Sequence, residues 1–322
     1  MRQKQLACLM ALMVFASYAD DNSPMAKLTF RVTDSLGTPV TNAEVGVSFY
    51  LWSEKPSGAV GKTDTNGLFT AEGFCSVDAN CSFVKDGYYL TSYRHAFPNP
   101  RRDSSTVKDG KWQPWNPTIE ITLKEKRNPI PMYVKKAKVF LPKKGEPFGF
   151  DCEMDDLVEP FGKGRNADIT FIYTAEIEGF KDLCYSNQVV ISGHSEYGGI
   201  IKKDADLWSQ LVSLQEAPVS GYQPDVTLFY HRSGAQIKGE MGFKRGTYLI
   251  FRSRIKTDEE GQIVSVNYGK IYPPFDYGEA PENKGEGRVE FYYYFNPTPN
   301  DTSLEFDFTK NLSNSRDRIP IP

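Results

Sequence analysis

Histidine is scarce in this chain, with three in 322 residues, at positions 95, 194 and 231. That leaves little for imidazole-based metal chemistry. No His-Glu-x-x-His pair occurs, which excludes a zinc peptidase of that type. No glycine-rich loop runs into Lys-Ser/Thr, which excludes a P-loop nucleotide site. Cysteine is also sparse, at five, and no Cys-x-x-Cys pair offers a zinc ligand set. Positive charge is not in excess. The 38 Lys and Arg stand against 41 Asp and Glu, for a formal net charge of -3, so nucleic acid has no electrostatic footprint to meet. Beyond the first residues no apolar run approaches the ~20 residues that cross a bilayer. No cofactor is expected.

The exception to the missing apolar runs is the leader. Arg2 and Lys4 precede an almost unbroken apolar stretch from Leu6 to Ala16, and Ser17-Tyr18-Ala19 offers small residues for a signal peptidase. Residues 1–19 read as a secretory signal peptide cleaved after Ala19, and the chain as secreted or periplasmic. Cys8 lies too deep in the apolar stretch, with Gln5 ahead of it, for a lipoprotein site. The mature chain then keeps four cysteines: Cys75, Cys81, Cys152 and Cys184. An even count in an oxidising compartment points to disulfides. The nearest-neighbour pairing is Cys75–Cys81 and Cys152–Cys184, and the other two pairings stay open.

What is abundant are aromatic residues, 13% of the chain, together with 26 Gly and 21 Pro. This is the composition of strands joined by tight turns. Leu28, Phe30 and Val32 alternate with polar neighbours, and so do Val45, Val47, Phe49 and Leu51. A period of two means one buried face. Thr63-Asp64-Thr65-Asn66-Gly67 reads as a hairpin turn, not a calcium loop, since Cys75 stands where the bidentate Glu would belong. Tyr88–Tyr93 and Ile119, Ile121, Leu123 supply further strands, and Phe97–Pro117 reads as a long loop. The expected fold class is all-β: an N-terminal antiparallel sandwich over 20–125, then a second β-rich domain.

The order Phe30-Arg31-Val32-Thr33-Asp34, Gly37-Thr38-Pro39-Val40, Ala43-Glu44-Val45 and Thr63 to Phe69 resembles the carboxypeptidase regulatory-like domain. That family is a small transthyretin-like (prealbumin-like) β-sandwich. The resemblance spans roughly residues 26–125. It implies a non-catalytic accessory module and says more about fold than about function. The cysteine pair 75/81 and the Trp-bearing loop depart from the pattern.

Lys124–Lys138 is basic, carries Pro129 and Pro131, and reads as a linker over 126–138. Residues 139–322 then show about seven strand patterns and one short helix over Asp204–Leu214, with Leu207, Leu211 and Leu214 on one face. The tail from Ser313 is polar and expected to fray.

Few constellations carry chemistry. Gly193-His194-Ser195-Glu196-Tyr197 lacks the glycine two residues after Ser that a nucleophile elbow needs. Asp151, Glu153, Asp155 and Asp156 surround Cys152. Such a cluster is a solvated turn, a calcium site, or half of a carboxylate pair, which needs a defined separation across a cleft. Lys27 and Asn116 could mimic an internal Lys–Asn isopeptide pair. Sequons begin at Asn80, Asn300 and Asn311 and matter only in a eukaryotic host, whereas the domain style points to bacteria.

The aromatic residues are the more informative candidates. Tyr50 and Trp52 fall opposite Phe49 and Leu51. Trp112 and Trp115 sit in the long loop, and Tyr292 and Tyr294 alternate against Phe291, Tyr293 and Phe295. Planar rings on a face or loop stack on sugars or anchor a protein partner; the plainer alternative is internal packing. The expected function is a non-catalytic binding or surface-associated protein for a glycan or protein partner. The alternatives are a secreted hydrolase built on Asp151–Asp156, His194 and His231, or a structural envelope component.

Overall fold

The computed structural model describes residues 23–52, 56–98, 104–179, 184–193, 197–240, 242–243 and 246–313. The leader with its Ala19 cleavage point, the His194-Ser195-Glu196 triplet and the tail beyond Ser313 lie outside these residues. The fold is all-β, and the chain divides into two compact units at Glu125/Lys126.

In the first unit the strands are β1 (Met25–Thr33), β2 (Glu44–Phe49), β3 (Ser57–Lys62), β4 (Leu68–Phe74), β5 (Asp78–Val84), β6 (Thr91–Ala96), β7 (Val107–Lys108), β8 (Lys111–Trp112) and β9 (Thr118–Thr122). One sheet places β4, β9 and β8 around β1, and the other runs β3-β2-β5-β6. The alternation read in the sequence supplies the core. Leu28, Phe30 and Val32 from one sheet meet Val45, Val47, Phe49 and Phe83 from the other, with the Phe30 and Phe83 rings 5.3 Å apart. The sandwich is not purely antiparallel, because the last strand, β9, pairs parallel with the first, Thr29 opposite Thr118 through Thr33 opposite Thr122. The 63–67 segment is a tight turn but not the hairpin expected from the sequence, because it carries the chain from β3 in one sheet to β4 in the other. Asp64 Oδ1 accepts the Asn66 and Leu68 amides at 2.8 Å. Gly67 has φ +73°, and a Cβ there would stand 2.4 Å from the Val32 carbonyl oxygen.

The second unit holds β10 (Ile130–Leu141), β11 (Pro147–Asp151), β12 (Asp156–Leu157), β13 (Ile169–Gly179), β14 (Cys184–Ser192), β15 (Gly199–Asp204), β16 (Asp225–Ser233), β17 (Gln236–Gly239), β18 (Thr247–Thr257), β19 (Ile263–Glu279), β20 (Gly287–Asn296) and β21 (Phe306–Asn311). Its two sheets run β15-β18-β19-β20-β10-β21 and β12-β11-β13-β14-β16-β17. Between them lies one aromatic-rich core in which Phe150 and Phe171 from one sheet meet Phe275, Phe291 and Tyr293 from the other.

In the second unit the expected linker and helix both differ from the structure. Most of the supposed linker is strand: β10 begins at Ile130, and Pro131 falls at a register shift between Ile130 and Met132 in its pairing with β21. A proline cannot donate to the ladder, so it is tolerated where the ladder is interrupted. The helix over 204–214 does not form. Asp204 closes β15, the Asp206 carboxylate caps the Trp208 and Ser209 amides at 3.2 and 3.3 Å, and the chain continues as an irregular cover. Leu211 is buried while Leu207 and Leu214 are exposed, so the three leucines share no face.

Neither proposed disulfide forms among the described residues. Cys75 and Cys81 are buried thiols of the first core, directed at the Asp78 and Ala79 carbonyls at 3.2 and 3.8 Å. Burial pushes them up to about 11 and about 12, which keeps them protonated and inert. Cys152 and Cys184 lie at opposite ends of a sheet. Cys152 follows β11 beside the start of β13, where Thr170 pairs with Ser192, and Cys184 is eight residues further along β14. At ~3.3 Å per residue that is roughly 26 Å, far beyond the ~7 Å a disulfide bridges between Cα atoms. Among these four thiols, labelling the folded chain with a thiol reagent is therefore expected to modify half-buried Cys184 and spare Cys75, Cys81 and Cys152 until the chain is unfolded. Early modification of any buried thiol would contradict this packing.

Candidate functional site

The acidic cluster around Cys152 is an internal salt-bridge network. Ser253 faces the core, and strict alternation would send Arg254 to the other face. Instead β18 is irregular between Ser253 and Lys256, and Arg254 adopts a left-handed φ of 53°. The bulge re-aims its side chain inward. The guanidinium lies 4.6 Å over the Phe295 ring. It donates to Asp168 from Nε at 2.8 Å and from Nη2 at 3.0 Å, to Asp151 at 3.3 Å, and to Glu153. Ser253 Oγ and the Cys152 amide complete the shell of Asp168, at 2.8 and 2.9 Å.

Each remaining carboxylate is also occupied. Asp151 accepts four backbone amides, from Glu153, Met154, Arg165 and Asn166. Burial pushes its carboxyl up, and these donors outweigh it, leaving it below the ordinary value. Asp155 pairs with Lys135 and lies 3.4 Å from the Tyr293 hydroxyl. Burial dominates there and raises it. Asp156 caps the Leu157 and Lys163 amides. The carboxylates are spent on closing one end of the sandwich, and no group of three or more metal-ligating side chains occurs among the described residues. No local pattern points to Arg254, which lies 86 residues beyond Asp168 in the chain.

His231 does not join this cluster. It sits on β16 opposite Ser186, which is opposite Glu176 on β13. Glu176 is seven residues along β13 from Ile169, the partner of Phe150, or about 23 Å. Moreover, His231 lies on the outer face of its sheet. The Ser186 Oγ to His231 Nδ1 distance is 2.9 Å, a contact a nucleophile would need. However, β14 is a central strand with partners on both sides, so its backbone amides are committed to the ladders and none is left to hold an oxyanion. The hydrolase constellation of Asp151–Asp156 with His231 is not assembled, and His194 lies outside the described residues.

The aromatic candidates separate into three groups. Trp112 and Tyr294 are buried, a correction to their expected exposure. Trp112 stacks on Phe97 at 4.8 Å and donates Nε1–H to the Cys75 carbonyl at 2.8 Å, pinning the long loop onto the sandwich. Tyr294 packs with Met132, Val134 and Phe306 beneath the covering segments of the second unit. Trp115 is half-buried, with the Lys111 and Lys27 ammonium groups 4.9 and 5.9 Å from its ring centre. Lys27 is paired with Glu72 at 3.0 Å, and Asn116 accepts from Thr29, so the isopeptide pair is not formed.

Trp52 is the most exposed of these rings, at 73%. Tyr50 meets it edge-on, with ring centres 5.6 Å apart. The Ser76 hydroxyl accepts the Trp52 amide at 3.3 Å, and the Tyr50 amide donates to the Asp78 carbonyl. The Asp78 carboxylate in turn holds Arg94 through Nε at 3.0 Å. Buried Leu51 lies between the two rings in sequence and turns inward. Finally, Tyr292 is half-buried on the outer face of β20, directly across from Tyr272 on β19 and Lys136 on β10.

Neither the protein-family models nor the curated proteins contain a match to this chain. Among solved structures, a 3-chlorocatechol 1,2-dioxygenase from Rhodococcus opacus is 12% identical, with a TM-score of 0.27 over 33% of this chain and 62% of its own length. A DUF3823 family protein from Parabacteroides merdae is 10% identical, with a TM-score of 0.20 over 88% of this chain and all of its own. BcpA, the major pilin subunit of Bacillus cereus, is 10% identical, with a TM-score of 0.22 over 87% and 95%. Likenesses this weak carry no conclusion about function.

Proposed function

We propose that this chain is an exported, non-catalytic binding protein, and that the Tyr50–Trp52 end of its first unit stacks on the ring of a glycan. The observation that carries the reading is a tryptophan left 73% exposed although a large apolar core is available to it. An indole costs free energy in water, and the C–H face of a sugar recovers part of that cost. Tyr50 edge-on holds the indole in place, and Arg94, anchored by Asp78, is a hydrogen-bond donor on the same end of the sheet. The internally bonded acidic cluster, and its separation from His231 along the sheet, favour binding over hydrolysis. No helix among the described residues is long and apolar enough to cross a membrane.

Titration of intrinsic tryptophan fluorescence with a panel of neutral glycans tests the reading. Saturable quenching is expected for at least one glycan, and Trp52→Ala is expected to weaken that binding by about tenfold or more, the order of 1.4 kcal/mol. Trp52 is solvent-exposed, so its removal leaves the fold intact. No saturable response to any glycan would sink the proposal.

A further inference from the structure

The outer face of β10, β20 and β19 carries a second constellation, independent of the Trp52 end. Successive outward positions on these strands form rows. One row is Lys136, Tyr292 and Tyr272, and the next holds Lys138 and Glu290, with Asp276 paired to Glu290. The two tyrosines face each other directly across the strands, the spacing at which ring side chains lie side by side, ~5 Å apart at Cβ. Both half-buried tyrosines pack against the buried cluster of Met132, Val134, Tyr294 and Phe306.

The charges beside them are unbalanced. Glu290 is shared by three cations: Lys136, Lys138 at 3.9 Å and Arg288 at 3.2 Å. Arg288 also reaches Asp276 at 2.7 Å. The Lys284 ammonium stands 5.2 Å over Phe140, the cross-strand neighbour of Arg288. Around the tyrosines three cations therefore share two carboxylates, a local excess of positive charge on a chain whose formal net charge is -3. Lys138, only 3.9 Å from Glu290 and more than half exposed, keeps N–H donors for an incoming carboxylate, because an ammonium has three.

We propose that this face binds an acidic glycan built of uronic acids. The apolar face of a sugar ring lies on Tyr292 and Tyr272, and its carboxylate is taken by Lys138, Lys136 and Arg288. A neutral sugar would use only the rings, and a simple anion only the cations. A ligand combining a flat apolar face with a carboxylate matches both.

Calorimetry with three polyuronates (polygalacturonate, alginate and hyaluronan) and with fully methyl-esterified polygalacturonate tests the proposal. The ester keeps the sugar rings and removes the charge. At least one polyuronate is expected to bind, with affinity that falls as salt rises, and the ester to bind about tenfold more weakly or not at all. Lys138→Glu and Tyr292→Ala are each expected to weaken polyuronate binding by about tenfold, and Trp52→Ala to leave it unchanged. Lys138 is largely exposed, so its charge reversal reads binding even if the tyrosine variant folds poorly. Absence of binding to all three polyuronates, equal affinity for the ester, or full affinity in Lys138→Glu would each overturn the proposal. If only Trp52→Ala abolishes polyuronate binding, the site is the Trp52 end instead.

Discussion

Replacing Arg254 with methionine is expected to destabilise the second unit by about 3–5 kcal/mol, the cost of breaking a buried ion pair by removing one partner. Methionine fills much of the same volume and keeps a contact with Phe295, so the loss is chiefly electrostatic. Asp168 is fully buried and Asp151 nearly so; burial already raises the Asp168 carboxyl, and losing the guanidinium raises it further, so it must either stay charged without its cation or take up a proton. Ser253 and the Cys152 amide are too few donors to hold Asp168 alone. The double variant Arg254→Met/Asp168→Asn is expected to be less damaged than Arg254→Met, because the unpaired charge is gone. Denaturant unfolding followed through the second unit's transition measures both. Arg254→Met within about 0.5 kcal/mol of the parent chain, the ordinary range for surface substitutions, would show that the network contributes little.

Phe291→Ala is expected to cost a similar amount, about 3–5 kcal/mol, through a cavity the neighbours cannot close. The ring is fully buried. Its centre lies 5.3 Å from Phe171 and 5.6 Å from Phe150 on the opposite sheet, and 5.8 Å from Phe275 on its own. Three flat rings fixed by their own strands cannot collapse into the gap without shifting a sheet. The same measurement applies, and Phe291→Leu, which restores most of the volume, is expected to recover more than half of the loss. A loss under about 1 kcal/mol for the alanine variant would mean that the core relaxes freely, contrary to the packing of these rings.

The strands were legible where burial imposed a period of two. Leu28, Phe30 and Val32, or Val289 to Phe295, announce themselves because each inward residue meets a hydrophobic core. The 204–214 segment misled because leucines three and four apart imitate a helix face, whereas only Leu211 is drawn into the core. The 126–138 segment looks like a linker because prolines ordinarily break a ladder, whereas Pro131 sits at a shift in a strand's register. The acidic cluster was visible, but its meaning was not, because its cation arrives from a distant strand through a bulge. Tyr292 was legible as an outward aromatic. Tyr272 and the cations beside it become one face only through strand pairings that no local pattern encodes.

The parallel contact between β1 and β9 recurs in the second unit, where the first strand, β10, pairs parallel with the last, β21. In each unit the chain therefore enters and leaves along neighbouring strands that point the same way. Traction on the two ends slides those strands past each other, so the ladder bonds between them strain together and cannot be unzipped one at a time. Tension along the backbone thus loads both terminal pairs in shear.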